Sequence, residues 1–173
     1  MTQSIFEGIP RIPYEGPTST NPLAFRYYDK DRVVLGKRLE DHLRVAVCYW
    51  HSFAWQEHDI FGHGTFDRPW FKVTNPIEAA ELKLTSAFDF FEKLGVPFFT
   101  FHDRDIAPEG ATLRESHENL DRLVEKAQAE MQRTGVGLLW GTANLFSHPR
   151  YMSGASTDPD PELFAYAAAQ RRK

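Results

Sequence analysis

The segment Phe98-Phe99-Thr100-Phe101-His102-Asp103-Arg104-Asp105 holds the residues best suited to chemistry, a histidine followed at i+3 by a carboxylate. A carboxylate beside an imidazole can fix one tautomer and leave the second ring nitrogen to donate to, or accept from, a substrate oxygen. The same pair also arises structurally, with His102 capping a strand end and Asp105 starting the next loop, and spacing does not separate the two readings. Tyr49-Trp50-His51 and Trp140-Gly141-Thr142-Ala143-Asn144-Leu145-Phe146 are the other stretches where polar groups and large aromatics occur together. Such a mixture suits a polyhydroxylated ligand whose ring faces are apolar.

Other candidate groups are weaker. His51, His58 and His63 invite a metal reading, but their spacings do not match the helix-borne i, i+4 zinc pair, and no metal ligand is assigned. Asp160 stands before Pro161 and reads as a helix cap rather than a ligand, and Glu109 beside Gly110 reads as loop surface. No Walker loop, G-x-G-x-x-G, G-x-S-x-G or C-x-x-C occurs, so nucleotide-cradling, nucleophile-elbow and dithiol chemistry lose their usual carriers.

Groups this far apart need elements to converge them. Leu43-Arg-Val-Ala-Val-Cys-Tyr-Trp50 predicts a strand near 43–50, and two more are expected near 96–102 and 136–141. Between them Ile77, Ala80, Leu84, Ala87, Phe88, Phe91 and Leu94 recur at helical steps, predicting a helix near 77–94 that ends at Gly95. A second helix, near 113–134, opens with the capping-box spacing Thr112-Leu-Arg-Glu115, and a third is expected near 160–172. Alternating strands and helices predict parallel βα units, whose reactive groups gather at the strands' C-terminal ends. Periodicity permits a small open α/β domain, since closing an eight-stranded barrel takes roughly 250 residues.

Residues 1–42 carry Pro10, Pro13, Pro17 and Pro22 and predict an extended arm whose aromatics, Phe6, Tyr14, Phe25, Tyr27 and Tyr28, need cover from their own domain or a neighbouring subunit. Residues 43–173 form the domain proper. The loop from Ser52 to Pro76 is long enough to predict a lid or a contact to another chain, with Phe61-Gly62-His63-Gly64 as an apolar tip between glycines.

At 173 residues with 42% apolar and 14% aromatic content, the chain can bury a real core in a single domain. A net charge of −4 with both signs interspersed offers no basic stripe for nucleic acid. No apolar stretch approaches membrane-spanning length, and the N-terminus, with Glu7, Pro10 and Arg11, is unlike a signal peptide. Cys48 alone excludes an internal disulfide and reads as a buried, inert thiol, and a cytoplasmic setting is expected.

Against this background the sequence resembles the xylose isomerases, specifically the group with a long N-terminal arm. The resemblance rests on Tyr14-Glu15-Gly16-Pro17, Asn21-Pro22-Leu23-Ala24-Phe25-Arg26, Cys48-Tyr49-Trp50-His51, Phe101-His102-Asp103, Pro108-Glu109-Gly110-Ala111, Leu139-Trp140-Gly141-Thr142-Ala143-Asn144 and Pro149-Arg150-Tyr151. It implies a TIM (β/α)8 barrel, of which about three of eight units are present, and interconversion of D-xylose and D-xylulose by a metal-assisted hydride shift. By motif match it implies that His102 holds the sugar ring oxygen and assists ring opening, that Asp105 orients it, and that Trp50 and Phe146 wall the pocket. Phe61 would reach a neighbouring subunit's site in a homotetramer. The resemblance also implies two divalent cations (Mg, Mn or Co), whose ligands lie on later strands outside this chain, as does the assisting lysine. Arg104 departs from the small or apolar residue expected between His102 and Asp105. The isolated chain is therefore expected not to isomerise xylose. Its rival reading is a non-catalytic truncated barrel acting through self-association or complementation, its edge strands unpaired.

Overall fold

The computed structural model describes residues 4–55 and 67–173. Its N-terminal part contains more regular structure than the prolines suggest. Strands β1 (Val33–Val34) and β2 (Lys37–Arg38) pair antiparallel, Val33 opposite Arg38, and a single turn, α1 (Leu39–His42), follows. The two residues between the strands, Leu35 and Gly36, have φ of 50° and 80°. Positive φ at both centres of a two-residue hairpin loop suits a residue such as asparagine followed by glycine. Leucine at the first position concealed the hairpin from the sequence reading. Because Leu35 is 94% exposed, its side chain contributes little burial to offset the backbone cost. Leu35→Asn is expected to stabilise the chain by about 0.5–1 kcal/mol, read as a raised urea midpoint at unchanged slope.

Strand β3 (Ala46–Cys48) is shorter than the expected 43–50, because the chain leaves it at Tyr49 and enters a wide π-type turn over Trp50–Ala54. Helix α2 (Pro76–Leu94) follows, with Asn75 Oδ1 accepting from the amides of Ile77 (2.9 Å) and Glu78 (3.2 Å), and it ends at Gly95 with φ 73°. Strand β4 (Phe98–His102) runs into a single turn, α3 (Asp103–Ile106), where a loop was expected. Helix α4 (Leu113–Thr134) then leads to β5 (Gly137–Thr142), and α5 (Pro161–Arg171) is capped by Asp160. Only half of the expected capping box forms at α4. Thr112 Oγ1 accepts from the Glu115 amide at 3.1 Å, but the Glu115 carboxylate takes the amide of Ala111, at 2.7 Å.

The three longer strands make one parallel sheet in the order β3-β4-β5, a mixed α/β architecture with helices packed on one face. Phe99, 1% exposed, is the hub of that packing, with the rings of Phe88 at 5.1 Å and Phe91 at 5.5 Å. The pleat puts Phe99 and Phe101 toward the helices and Thr100 and His102 on the other face. Between β4 and β5 the register slips: Phe99 pairs with Leu138, but Thr100 pairs with Trp140. Leu139 is thus an extra residue in β5, and this bulge turns Trp140 onto the His102 face, which regular alternation would have denied it. A Cβ at Gly141, opposite Phe101, would lie 3.1 Å from Phe101 Cζ, so the ring would have to give by a few tenths of an ångström. Gly141→Ala should cost about 1–2 kcal/mol by denaturant titration, the ring being backed by Phe99 at 6.0 Å.

The N-terminal stretch lies along α2. Phe6 packs on Phe90 at 5.6 Å, Ser4 Oγ donates to the Asp89 carboxylate, and the Ile12 amide donates to the Lys93 carbonyl at 2.7 Å. Cover for the other arm aromatics is incomplete: Phe25 meets Tyr28 edge-on at 6.1 Å, while Tyr27 stays 82% exposed.

Candidate active site

His102 is the last residue of β4, and α3 begins directly after it, so the chain folds back and brings Asp105 beneath the imidazole. Asp105 Oδ2 accepts from His102 Nδ1 at 2.8 Å and from the His102 main-chain amide, also at 2.8 Å. The structural and chemical readings of the pair are therefore not alternatives, since one carboxylate oxygen caps the turn and holds the ring. With Asp105 ionised, Nδ1 carries the proton, and in the neutral ring Nε2 is the acceptor. Nε2 has no hydrogen-bond partner among the described residues. The two side chains are mostly covered, His102 at 14% and Asp105 at 11% exposure.

Aromatic rings enclose that imidazole on three sides. Trp50, at the start of the π-type turn, is 4.7 Å away between centroids, Phe146 stands edge-on at 5.2 Å, and Trp140 stands edge-on at 5.8 Å. Trp50 and Trp140 touch each other at 5.3 Å. Phe146 remains 62% exposed, so the cluster is an open wall rather than a closed pocket. The structure thus brings together His102, Asp105, Trp50 and Phe146, four of the five residues expected from the sequence. The fifth, Phe61, lies outside the described residues, as do His58 and His63. His51 contacts the edge of Trp50 and is exposed.

A second, buried layer holds the wall in place. Asp103 Oδ1 accepts from the amides of Arg104 (2.8 Å) and Asn144 (2.7 Å), and Oδ2 accepts from Gln170 Nε2 (2.8 Å). Gln170 also donates to the Asn144 carbonyl at 3.2 Å and accepts from Tyr151 Oη at 2.7 Å. Asn144 Oδ1 in turn accepts from the amides of Phe146 and Ser147, fixing the bend that presents Phe146. These contacts tie β4, the loop after β5 and α5 into one unit. Beside Arg104 both His102–Asp105 bonds are made, while its own Nη2 is buried with no hydrogen-bond partner among the described residues.

Behind Asp105 stands Lys83, from α2. Its Nζ donates to the Asp105 carbonyl at 2.6 Å and lies 5.7 Å from the centre of the Tyr49 ring. Burial lowers the Lys83 ammonium to about 8, opposed by the Asp105 carboxylate. Tyr49 is fully buried with no partner for its hydroxyl among the described residues, and burial pushes its phenol well above the usual range. Burial also raises the Cys48 thiol, which fits an inert cysteine.

Among the described residues, no three His, Cys, Asp or Glu side chains converge as a metal site would require. The described residues do not fit a pair of divalent cations. No helix among the described residues is long and apolar enough to cross a membrane. Cavities of about 620 and 610 Å³ occur elsewhere, one beside Arg150 and Tyr166 and the other under the arm at Ile12 and Tyr28, away from His102.

The chain is 59% identical over 169 residues to a xylose isomerase of Paraburkholderia phytofirmans, a match covering 98% of this chain and 38% of that protein. It is 59% identical over 167 residues to one from Burkholderia ambifaria and 54% identical over 165 residues to one from a Marinomonas species, covering 96% and 95% of this chain and 38% of each relative. This chain is homologous to the xylose isomerases over nearly its whole length. It spans 38% of the length of these relatives, consistent with an N-terminal portion. No family model matches it.

One residue of this candidate site, Lys83, escapes the sequence reading, and so does the facing of another, Trp140. The sequence puts Trp140 in the same candidate stretch as Phe146, but its face depends on the bulge, at which only the flanking glycines Gly137 and Gly141 hint. Lys83 sits three residues after Ala80 and four before Ala87, on the flank of the apolar stripe of α2. A lysine at that position was the available signal.

Proposed function

We propose that this chain carries the sugar-ring end of an aldose–ketose isomerase site, acting on D-xylose and D-xylulose, within the first three βα units of a TIM barrel. The observation that supports it most is the His102–Asp105 bond, which commits one ring nitrogen and leaves the other available inside the wall of Trp50, Trp140 and Phe146. His102 meets the ring oxygen through Nε2 and moves the proton on ring opening, Asp105 fixes tautomer and orientation, and Trp50 and Phe146 cover the apolar ring faces. Residues 1–42 serve as an arm on the domain formed by 43–173. Phe61 closes the pocket of a neighbouring subunit in a homotetramer. The divalent cations used by the family do not fit the described residues, so the chemistry assigned to this chain stops at binding and opening the ring.

Tryptophan fluorescence tests this, since Trp50 and Trp140 report directly on the wall. D-xylose should give a saturable change that is lost in Trp50→Phe and reduced in His102→Ala, while xylitol, which cannot close a ring, should not. A response absent in the native chain, or indifferent to both changes, sinks the assignment. With added Mg the 173-residue chain is expected to form no xylulose. Metal-dependent xylulose formation that disappears in His102→Gln would show that the chemistry extends further.

A second reading, a non-catalytic fragment that self-associates, is favoured by one observation. Strands β3 and β5 are the outer strands of the sheet, and Leu138 and Trp140 on β5 are each 40% exposed. Sedimentation velocity separates the readings, a stable monomer being incompatible with it.

A further inference from the structure

We propose that Lys83 is a positioning residue for the His102–Asp105 pair, its ammonium pinning the Asp105 carbonyl and so fixing the turn that holds the Asp105 carboxylate under the imidazole. This rests on reading His102 and Asp105 as the proton-handling pair. Helix α3 is four residues long, far too short to persist on its own hydrogen bonds. Its first carbonyl, that of Asp103, is taken by the Ala107 amide at 3.0 Å. The Asp105 carbonyl falls in the last turn, where no further helical amide arrives, and cationic side chains suit such orphan acceptors. Lys83 supplies the donor at 2.6 Å from a different element, α2, whose own fold is set by the Phe88 and Phe91 packing.

The charge acts on the pair as well as the hydrogen bond. Asp105 is the common electrostatic neighbour of Lys83 from α2 and of Tyr49 and Cys48 from the end of β3. Lys83 is the only cation among these, and the buried Tyr49 phenol and the partly covered Cys48 thiol, both raised by desolvation, stay neutral. Its ammonium is therefore the group that balances the Asp105 carboxylate from behind while His102 meets it from the front. Losing the ammonium frees the turn to shift, and the Nδ1 bond of His102 is the first contact to register it.

Imidazole 15N spectra of the uniformly labelled 173-residue chain, recorded without sugar, test this directly. At pH 7 the native chain should show His102 mainly as the Nδ1–H tautomer. Lys83→Met should reduce that share at least twofold with the far-UV spectrum unchanged, and Lys83→Arg should restore it. A His102 tautomer ratio equal to native in a folded Lys83→Met chain overturns the proposal. Should that variant fail to fold, the native chain decides, because its His102 ring signals must move together with the Lys83 titration, expected near 8 and followed in the same samples through the Lys83 Nζ signal. His102 signals flat across the Lys83 titration overturn it equally. Since no sugar is present, these outcomes are independent of whether D-xylose binds.

Discussion

Gln170→Leu should destabilise the chain by about 3–5 kcal/mol, the largest loss expected from any polar substitution near the site. Gln170 is 4% exposed and is the side chain through which Asp103, Asn144 and Tyr151 are joined. Leucine preserves most of the volume, so the loss reports the unpaired groups rather than a cavity. It leaves Asp103 Oδ2 without its donor and the Tyr151 hydroxyl without its acceptor, both in surroundings that water reaches poorly. Equilibrium urea unfolding gives the size of the loss. Repeating it on Asp103→Asn and on the double variant gives the coupling, which should be a sizeable fraction of the single-variant costs. Additive costs would show that Gln170 stabilises α5 by packing alone. The consequence for the site follows from Asn144: with its carbonyl released, the bend presenting Phe146 loosens, and Phe146 quits the His102 ring before the sheet itself unfolds.

The contrast between Phe99 and Trp140 shows how far the sequence could be read. Phe99 stands in an apolar run after a helix that ends on Gly95, and both signals are local, so its strand, its burial and the parallel order were all legible. His102 and Asp105 were legible for the same reason, being three residues apart on a strand end and its following turn. Trp140 was not, because one extra residue in β5 decides its face, and a bulge depends on pairing with β4 rather than on β5 itself. The Asp103–Asn144–Gln170–Tyr151 unit was hidden more deeply, as it joins positions up to 67 residues apart through side chains of ordinary composition. The hairpin at Leu35 was concealed by an unusual turn residue. Local pattern thus reached the elements and the His102–Asp105 pair, while the contacts that aim and support the pair depend on tertiary pairing.

Between about pH 8 and pH 10 the native chain should gain stability relative to Lys83→Met, by about 2 kcal/mol. The sign comes from proton counting. Lys83 is lowered to about 8 in the folded chain, against an ordinary value of 10.5. Below pH 8 both states hold the proton and stability is independent of it. Between the two values the unfolded chain holds a proton that the folded chain has released, so stability rises with pH. A difference of this size sets a ceiling of roughly 3 kcal/mol, reduced here because Lys83 keeps some contact with solvent. Tyr49 works the other way only above about pH 10, where its buried phenol stays protonated after an exposed tyrosine would ionise. Urea unfolding of the two chains at half-unit steps from pH 7 to 10 reads the difference, and parallel curves would refute the burial of a charged Lys83. The direction also bears on why a lysine sits there. Its charge costs the folded state stability at neutral pH, and the deprotonation that strengthens the fold leaves a neutral amine, a weaker donor to the Asp105 carbonyl, so the hold on the turn and on His102 should loosen as the fold gains. Opposite responses of global stability and imidazole order across one titration are what a residue kept for positioning, at the expense of stability, must produce.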